Sequence, residues 1–159
     1  MNEEKKPIKR SKELTPLSKE HHEGLLFGWK IKQGLKNGTD HALIARYIQW
    51  FWDNDLQMHF RKEEAILAPH LSGGNEWVQR MFADHAAIKV LVEQCAKTID
   101  ENSFIKLADA VHDHIRFEER ILFPYAEKEI PAETLAAMFE ELNKIDKKAT
   151  WEDEFWMRK

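Results

Sequence analysis

Cysteine is nearly absent from this sequence, since Cys95 is the only one in 159 residues. One thiol forms no intramolecular disulfide and builds no cysteine-rich zinc or iron–sulfur site. No apolar run approaches the ~20 residues that span a bilayer, and the start of the chain, Met1 to Lys6, lacks the apolar stretch of a signal peptide. We therefore expect a cytoplasmic protein in a reducing compartment, with no membrane partner.

A strong charge of either sign is also missing. The formal net charge is −4, with 33% charged and 43% hydrophobic residues. This balance is ordinary for a globular chain and argues against nucleic acid as a main partner. The length is sufficient for one domain with a substantial core.

One segment of the chain occurs twice. Residues 59–69 reappear as residues 114–124, with the shared pattern His, three residues, Glu-Glu and then Ile-Leu-x-Pro. A helix turns about 100° per residue, so His and the Glu four positions later lie about 40° apart on one face. Each copy thus directs an imidazole and a carboxylate to one point. Two copies on facing helices form a mixed nitrogen and oxygen cage, which suits iron or manganese.

Apolar residues recur with a helical period along most of the chain, and no strand pattern is visible. The pattern predicts an all-α fold, an up-down-up-down four-helix bundle with an additional C-terminal helix. The predicted helices span about residues 15–36, 40–71, 75–100, 103 into the 120s, and 132–147. Pro124 should kink or end the fourth helix.

Three regions are predicted. Residues 1–13 are charged and nearly without apolar side chains, which indicates a flexible N-terminal arm. Residues 14–130 form the bundle. Residues 131–159 add the fifth helix and an aromatic, acidic tail, which packs over one end of the bundle or meets a second chain.

Polar side chains interrupt each of the four apolar stripes. They are His21 or His22 on the first helix, His59 and Glu63 on the second, His85 on the third, and His114 and Glu118 on the fourth. Burying such groups bare costs roughly 1–3 kcal/mol each. A pair of metal ions with two bridging carboxylates removes that cost, so the pattern indicates a dinuclear metal site.

This arrangement resembles the hemerythrin-like, or HHE cation-binding, family of four-helix bundles with a non-haem di-iron centre. In that family the helices supply, in order, a His, a His-x-x-x-Glu, a His, and a His-x-x-x-Glu or His-x-x-x-x-Asp. The resemblance covers about residues 14–130. It implies a ligand set of His59, Glu63, His85, His114 and Glu118, with the two glutamates bridging. The implied cofactor is two iron ions with an oxo or hydroxo bridge, for which manganese or zinc could substitute.

The first-helix ligand stays open between two neighbours. The family's spacing of His, two residues and an apolar residue fits His22 followed by Leu25. The apolar moment favours His21, because Leu14, Leu17 and Leu25 lie within about 40° of it on a helical wheel.

The sequence departs from the oxygen-carrying hemerythrins at two points. Lys89 stands where those proteins have a second third-helix His, and Glu118 follows its His after three residues rather than four. The chain thus resembles the wider family, whose members are linked to iron or oxygen sensing, nitric oxide and repair of iron–sulfur centres. The resemblance implies a protein that binds or senses dioxygen, nitric oxide or iron.

Two alternatives remain at this point. One is a di-iron enzyme that acts on peroxide or nitric oxide, or that donates iron in cluster repair. The other is a metal-free interaction bundle, which leaves the buried polar set unexplained. The expected partners are a small diatomic ligand or peroxide, and a second copy of the chain or another protein.

The remaining polar residues receive plainer interpretations. Glu64 and Glu119 are predicted to face solvent or to pair with arginines such as Arg61 and Arg116. Asp55 and Lys89 lie near the ligand stripes, as supporting partners or a buried ion pair. Structural or solvated roles are predicted for three further histidines, His41, His70 and His112.

Overall fold

A computed structural model of the chain describes residues 10–144 and 149–158. All regular structure in these residues is helical and none is strand, which confirms the predicted all-α class. None of the helices in these two ranges is long and apolar enough to cross a membrane. The α-helices are α1 (Thr15–Lys36), α2 (His41–Phe51), α3 (Gln57–Lys62), α4 (Glu76–Lys97), α5 (Glu101–Phe117), α6 (Phe123–Glu129) and α7 (Ala132–Leu142).

Short polar signals begin and end the long helices, although α4 ends at Lys97 and α5 begins at Glu101, two to three residues before the predicted boundaries at about 100 and 103. The side chain of Asn75 accepts hydrogen bonds from two backbone N–H groups of the first turn of α4, and Asp100 accepts one at the start of α5. After α1, Gly38 adopts a φ of 78°, a left-handed conformation that glycine reaches without a Cβ clash. These ends keep the connections short, so consecutive long helices run antiparallel.

Four long helices make up the bundle: α1, a second helix over residues 41–67 that includes α2 and α3, α4, and a fourth helix over residues 101–129 that includes α5 and α6. The second and fourth are each continuous but contain π turns. One π turn links α2 to α3, a second, Glu63–Leu67, follows α3, and a third, Glu118–Leu122, links α5 to α6. The last two occupy the same place in the two copies of the repeated segment, just before its proline. The fourth helix therefore continues past Pro124 to Glu129 and does not end at the proline. A π turn shifts the hydrogen-bond register ahead of a residue that has no N–H.

The apolar core is divided into two clusters by a polar layer. The upper cluster combines the C-terminal half of α1 and the N-terminal half of the second long helix with the C-terminal half of α4 and most of α5. The lower cluster combines the opposite ends of the same helices with α6 and α7. Each cluster thus combines the C-terminal end of one long helix with the N-terminal end of the next, as in an up-down-up-down bundle. Between the clusters lie the buried histidines and glutamates.

Two further segments close the ends of the bundle. At the lower end, α7 packs against the helices, and residues 10–13 also contact the bundle, although they belong to the predicted flexible arm. The fifth helix ends at Leu142, with Asn143 as its C-cap, and so is shorter than the predicted 132–147. Residues 1–9 and 145–148 lie outside the described residues. At the upper end, the C-terminal tail packs Phe155 and Trp156 into the core, so the tail covers one end of the bundle as predicted.

Substituting Gly34 should displace this tail. A Cβ built at Gly34 lies 2.6 Å from Phe155 Cε1, whereas the nearest atom to a Cβ at Gly28 is 3.6 Å away. Gly34→Ala should lower the free energy of unfolding by about 1–3 kcal/mol through overpacking. Gly28→Ala should be neutral or stabilising by up to about 1 kcal/mol, because alanine favours a helix. Urea unfolding followed by tryptophan fluorescence measures both, and equal stabilities would contradict the packing of the tail.

Candidate metal centre

Six buried polar residues meet at the polar layer, and we call them the inner cluster. Each is at most 4% exposed, and the six are His21, His59, Glu63, His85, His114 and Glu118. All four long helices contribute, since the helical phase that buries the apolar stripes also turns these side chains inward. His22, the other candidate on the first helix, is exposed and lies outside the cluster.

The inner cluster divides into two half-sites that share both glutamates. The first half-site holds His21 and His59, and its four ligand atoms lie within 4.8 Å of one another. His21 Nε2 is 2.8 Å from Glu118 Oε1, and His59 Nε2 is 3.0 Å from Glu63 Oε2. Each glutamate therefore presents one oxygen to this half-site.

The second half-site repeats this geometry with the other two histidines. His85 Nε2 is 2.9 Å from Glu63 Oε1, and His114 Nε2 is 3.1 Å from Glu118 Oε2. Its four ligand atoms also lie within 4.8 Å of one another. Because the two oxygens of each glutamate point to different half-sites, both carboxylates are placed to bridge two cations.

A second set of acidic residues holds the histidines from outside, and we call them the outer carboxylates. Each accepts a hydrogen bond from the Nδ1 of one inner histidine, at 2.6–2.9 Å. The pairs are Glu20 with His59, Glu64 with His85, Asp84 with His114, and Glu119 with His21. In every pair the acid and the histidine lie on different long helices. The two helices are consecutive along the chain in the first three pairs, and they are the fourth and the first helix in the last pair.

These contacts fix the position of one proton on each ring. A carboxylate only accepts, so each Nδ1 carries the hydrogen and each Nε2 faces the centre. A histidine whose Nδ1–H is held by a carboxylate has its Nε2 lone pair oriented for a metal ion.

A model of the hemerythrin HHE cation-binding domain matches residues 14–126, a range that contains the whole inner cluster. The chain belongs to the hemerythrin HHE cation-binding family. The resemblance expected from the repeated segment is thereby confirmed. Comparison with the curated proteins and comparison with the solved structures gave no match. The metal-binding character of the hemerythrin family agrees with the histidine and glutamate ligands assembled here.

The inner cluster also fits a cation by its own chemistry. Four of its inward-facing atoms are buried and make no hydrogen bond: His59 Nε2, His114 Nε2, Glu63 Oε2 and Glu118 Oε2. The two His–Glu pairs lie 3.0 and 3.1 Å apart but do not have hydrogen-bond geometry. A buried polar atom that lacks a partner costs about 1–3 kcal/mol. These are nitrogen and carboxylate donors that converge on two points, so metal coordination satisfies all four.

The prediction for the two neighbouring glutamates missed their contacts to the centre. Glu64 and Glu119 do not pair with Arg61 or Arg116, which are both exposed. They hold His85 and His21, and Glu119 also pairs with a different arginine, Arg10. In each copy of the repeated segment, the first Glu therefore belongs to the inner cluster, and the second Glu holds a histidine of that cluster in place.

The sequence interpretation also missed Glu20 and Asp84. A signal was present, because each directly precedes an inner histidine, in Glu20-His21 and Asp84-His85. A residue next to a helical ligand lies about 100° around the helix, where it faces the neighbouring helix.

Other candidates lie apart from the centre. Lys89 is exposed on α4, and so is not a supporting partner. Asp55 is half-buried and, after burial itself, contributes to raising the pKa of Tyr47. His70 and His112 are exposed, and His41 is half-buried with its ring edge against Phe104. Burial raises the pKa of the Cys95 thiol to about 11, so the thiol stays protonated.

The carboxylates around the centre dominate its electrostatics. Burial by itself lowers the pKa of the inner histidines, but hydrogen bonds and charges from the glutamates reverse the effect, and the pKa of His85 rises to about 9. The pKa values of His21 and His114 are raised well above their usual range for the same reason. Burial opposes ionisation of Glu20 and Glu119, yet hydrogen bonds from the histidines lower the pKa of each to about 2.

Metal binding should release protons. Without metal, the raised pKa values favour the protonated form of the inner histidines, whereas coordination requires a free Nε2 lone pair. Loading divalent ions at pH 7 should therefore release protons, one from each inner histidine that is protonated beforehand. Titration with a pH indicator in weak buffer measures the release, and loading with no proton release would show that the histidines are neutral beforehand.

Neutralising an outer carboxylate should weaken metal binding. Glu64→Gln keeps the shape of the side chain but removes the charge that orients His85. Metal affinity should fall by about 10- to 100-fold. Glu129→Gln, an exposed residue at the end of α6, is the matched control and should leave the affinity unchanged. Competition with a chelator of known affinity measures both variants, and equal affinities would argue against the supporting role of Glu64.

Proposed function

We propose that this hemerythrin-family domain holds a dinuclear iron centre on the inner cluster and uses it to bind or sense a small ligand. The observation that carries the proposal is the sharing of Glu63 and Glu118 between two four-residue half-sites. Two histidines and two carboxylate oxygens per half-site form a ligand set that suits iron, and manganese or zinc can substitute.

Four protein donors leave coordination positions for a solvent bridge and a small ligand. Iron held in this way supplies a redox-active Lewis acid to whatever reaches those positions. The protein's own residues fix the rings, neutralise the charge of the ions and exclude bulk water, because the centre lies between two apolar clusters.

Burial limits the size of the ligand. Glu63 and Glu118 are fully buried, and no inner histidine is more than 4% exposed. A cleft of about 570 Å³ between α1, the second long helix and the tail is lined by Glu20 but by none of the inner cluster. These features favour dioxygen, nitric oxide or peroxide, or iron itself, over any larger substrate.

The hydrogen bonds of the outer carboxylates favour a binding or sensing role over catalytic turnover. All four outer carboxylates are engaged by histidines, so none is placed as an independent proton donor at the centre. The enzymatic alternative, reduction of peroxide or nitric oxide, predicts steady turnover. A binding protein predicts a stoichiometric spectral change instead.

Metal content and the optical spectrum test the proposal directly. Protein purified with iron available should contain about two irons per chain and show near-ultraviolet oxo-bridge bands. Absence of metal, with no change in melting temperature after Fe(II) or Mn(II) is added, would refute the metal centre and favour the interaction bundle.

Two adjacent histidines provide a matched pair of variants. His21→Ala removes a ligand of the first half-site, so the iron content should fall from about two to about one or fewer per chain. His22→Ala changes an exposed neighbour on the same helix and should retain both irons. Iron analysis together with circular dichroism separates loss of metal from loss of fold, and equal iron content in both variants would exclude His21 as a ligand.

A further inference from the structure

The two half-sites have the same inner ligands but different surroundings. Each has two histidines, one oxygen from each shared glutamate and two outer carboxylates. Any difference in how firmly they hold a metal ion must therefore come from the groups that bind the outer carboxylates or pack on the histidine rings.

The outer carboxylates of the first half-site are bound to buried cations. Glu119 accepts hydrogen bonds from Arg10 Nη2 at 3.1 Å and from Ser18 Oγ at 2.8 Å, and Glu20 accepts one from Lys62 Nζ at 2.9 Å. The Arg10 side chain is only 8% exposed and that of Lys62 13%. Charge-assisted bonds shielded from water are the strong ones.

Arg10 belongs to an N-terminal segment, residues 10–14, that is fastened to the π turn after α5. In that turn Phe123 N–H bonds to Glu118, so the carbonyl of Glu119 loses its usual helical donor. The next donor in the π register would be residue 124, which is a proline without an N–H. Arg10 Nη2 fills this place, donating to the Glu119 carbonyl at 2.6 Å.

Two further contacts complete the attachment. Arg10 Nη1 donates to Glu127 at 2.9 Å, and the guanidinium lies 5.3 Å from the centre of the Phe123 ring. That ring stacks on His21, with 5.1 Å between ring centres. The N-terminal segment thus holds a first half-site histidine through both its carboxylate and its ring face.

The second half-site has comparable ring packing, since His85 stacks on Phe60 with 3.8 Å between ring centres and the Arg80 guanidinium lies 4.1 Å from the centre of the Phe117 ring. What it lacks, within residues 10–144 and 149–158, is a buried cation on its outer carboxylates. Glu64 is 36% exposed and, among the described residues, has no polar side-chain partner besides His85. In the part of the chain that the structure describes, the one polar partner of Asp84 besides His114 is Arg80, at 3.6 Å, and the Arg80 side chain is 49% exposed. An ion pair at such exposure is screened by solvent and adds little.

We propose that the second half-site exchanges its metal ion, while the first half-site, locked by the N-terminal segment, retains its own. For a bound metal ion to be released, its imidazoles would have to turn away, and turning would break the Nδ1 hydrogen bond to the outer carboxylate. In the second half-site that motion moves two partly exposed carboxylates that hold no buried cation, whereas in the first it displaces Arg10 and Lys62. The inference rests on the proposed dinuclear iron centre and adds how that centre takes up or gives up one iron.

Release of iron to a chelator tests the inference. The full chain, loaded with Fe(II) under anaerobic conditions, is mixed with an excess of a chromophoric Fe(II) chelator. We expect two phases of about one iron each, with rates differing by at least about tenfold. Crystals of the protein after the fast phase should show anomalous iron density in the first half-site alone.

Two arginine variants assign the phases. Arg10→Ala should accelerate the slow phase by about 10- to 100-fold, because Glu119 loses its buried partner. Arg80→Ala, which removes the arginine beside Asp84, should leave the slow phase unchanged and alter the fast phase by less than about fivefold. If Arg10→Ala folds poorly by circular dichroism, Ser18→Ala removes a single hydroxyl donor from Glu119 and should accelerate the slow phase in the same direction.

The outcomes separate the inference from the proposed function. Loss of both irons in one phase, or iron density that disappears first from the first half-site, overturns the inference and leaves the dinuclear centre standing. A slow phase that is equally fast in Arg10→Ala, Ser18→Ala and the unaltered chain overturns the role of the N-terminal segment. A chain that binds no iron overturns both proposals.

Discussion

The hydrogen bond between an imidazole Nδ1–H and a carboxylate on the adjoining helix is the interaction on which this structure depends. Four such bonds form a closed ring: the first helix holds a histidine of the second, the second one of the third, the third one of the fourth, and the fourth one of the first. Sliding a helix by one residue turns its side chains by about 100° and breaks two of the bonds at once. The ring thus fixes the rotation and the height of all four helices relative to one another.

The ring also explains how so much charge is buried in a small domain. Ten ionisable side chains, the inner cluster and the outer carboxylates, lie between two apolar clusters, and isolated charges there would be prohibitively costly. Each imidazole is instead placed between carboxylates on its two nitrogens. A bound divalent ion brings positive charge to the layer as the ring protons that it displaces leave, so replacing protons by metal limits the change in the net charge of the layer.

Local features of the sequence were sufficient for the helices and most of the inner cluster. Asn37-Gly38 ends a helix by its own chemistry, and the repeated His-x-x-x-Glu sets its side chains on one face whatever surrounds it. The partners of Glu64 and Glu119 were not predictable in this way, since they depend on how a neighbouring helix is rotated. The contact of Arg10 was harder to predict, because the Glu119 carbonyl is left without a helical donor only where a π turn precedes Pro124.

The division of the core has a consequence for how the bundle opens. The upper cluster is closed by the C-terminal tail and the lower one by α7 and the N-terminal segment, and the two adjoin only at the charged layer. Each cluster has the apolar contacts of a separate cooperative unit, so amides at the two ends should exchange with solvent independently when the layer is weakened. A change at the buried centre can in this way reach the surface as loosening of one end while the other stays folded.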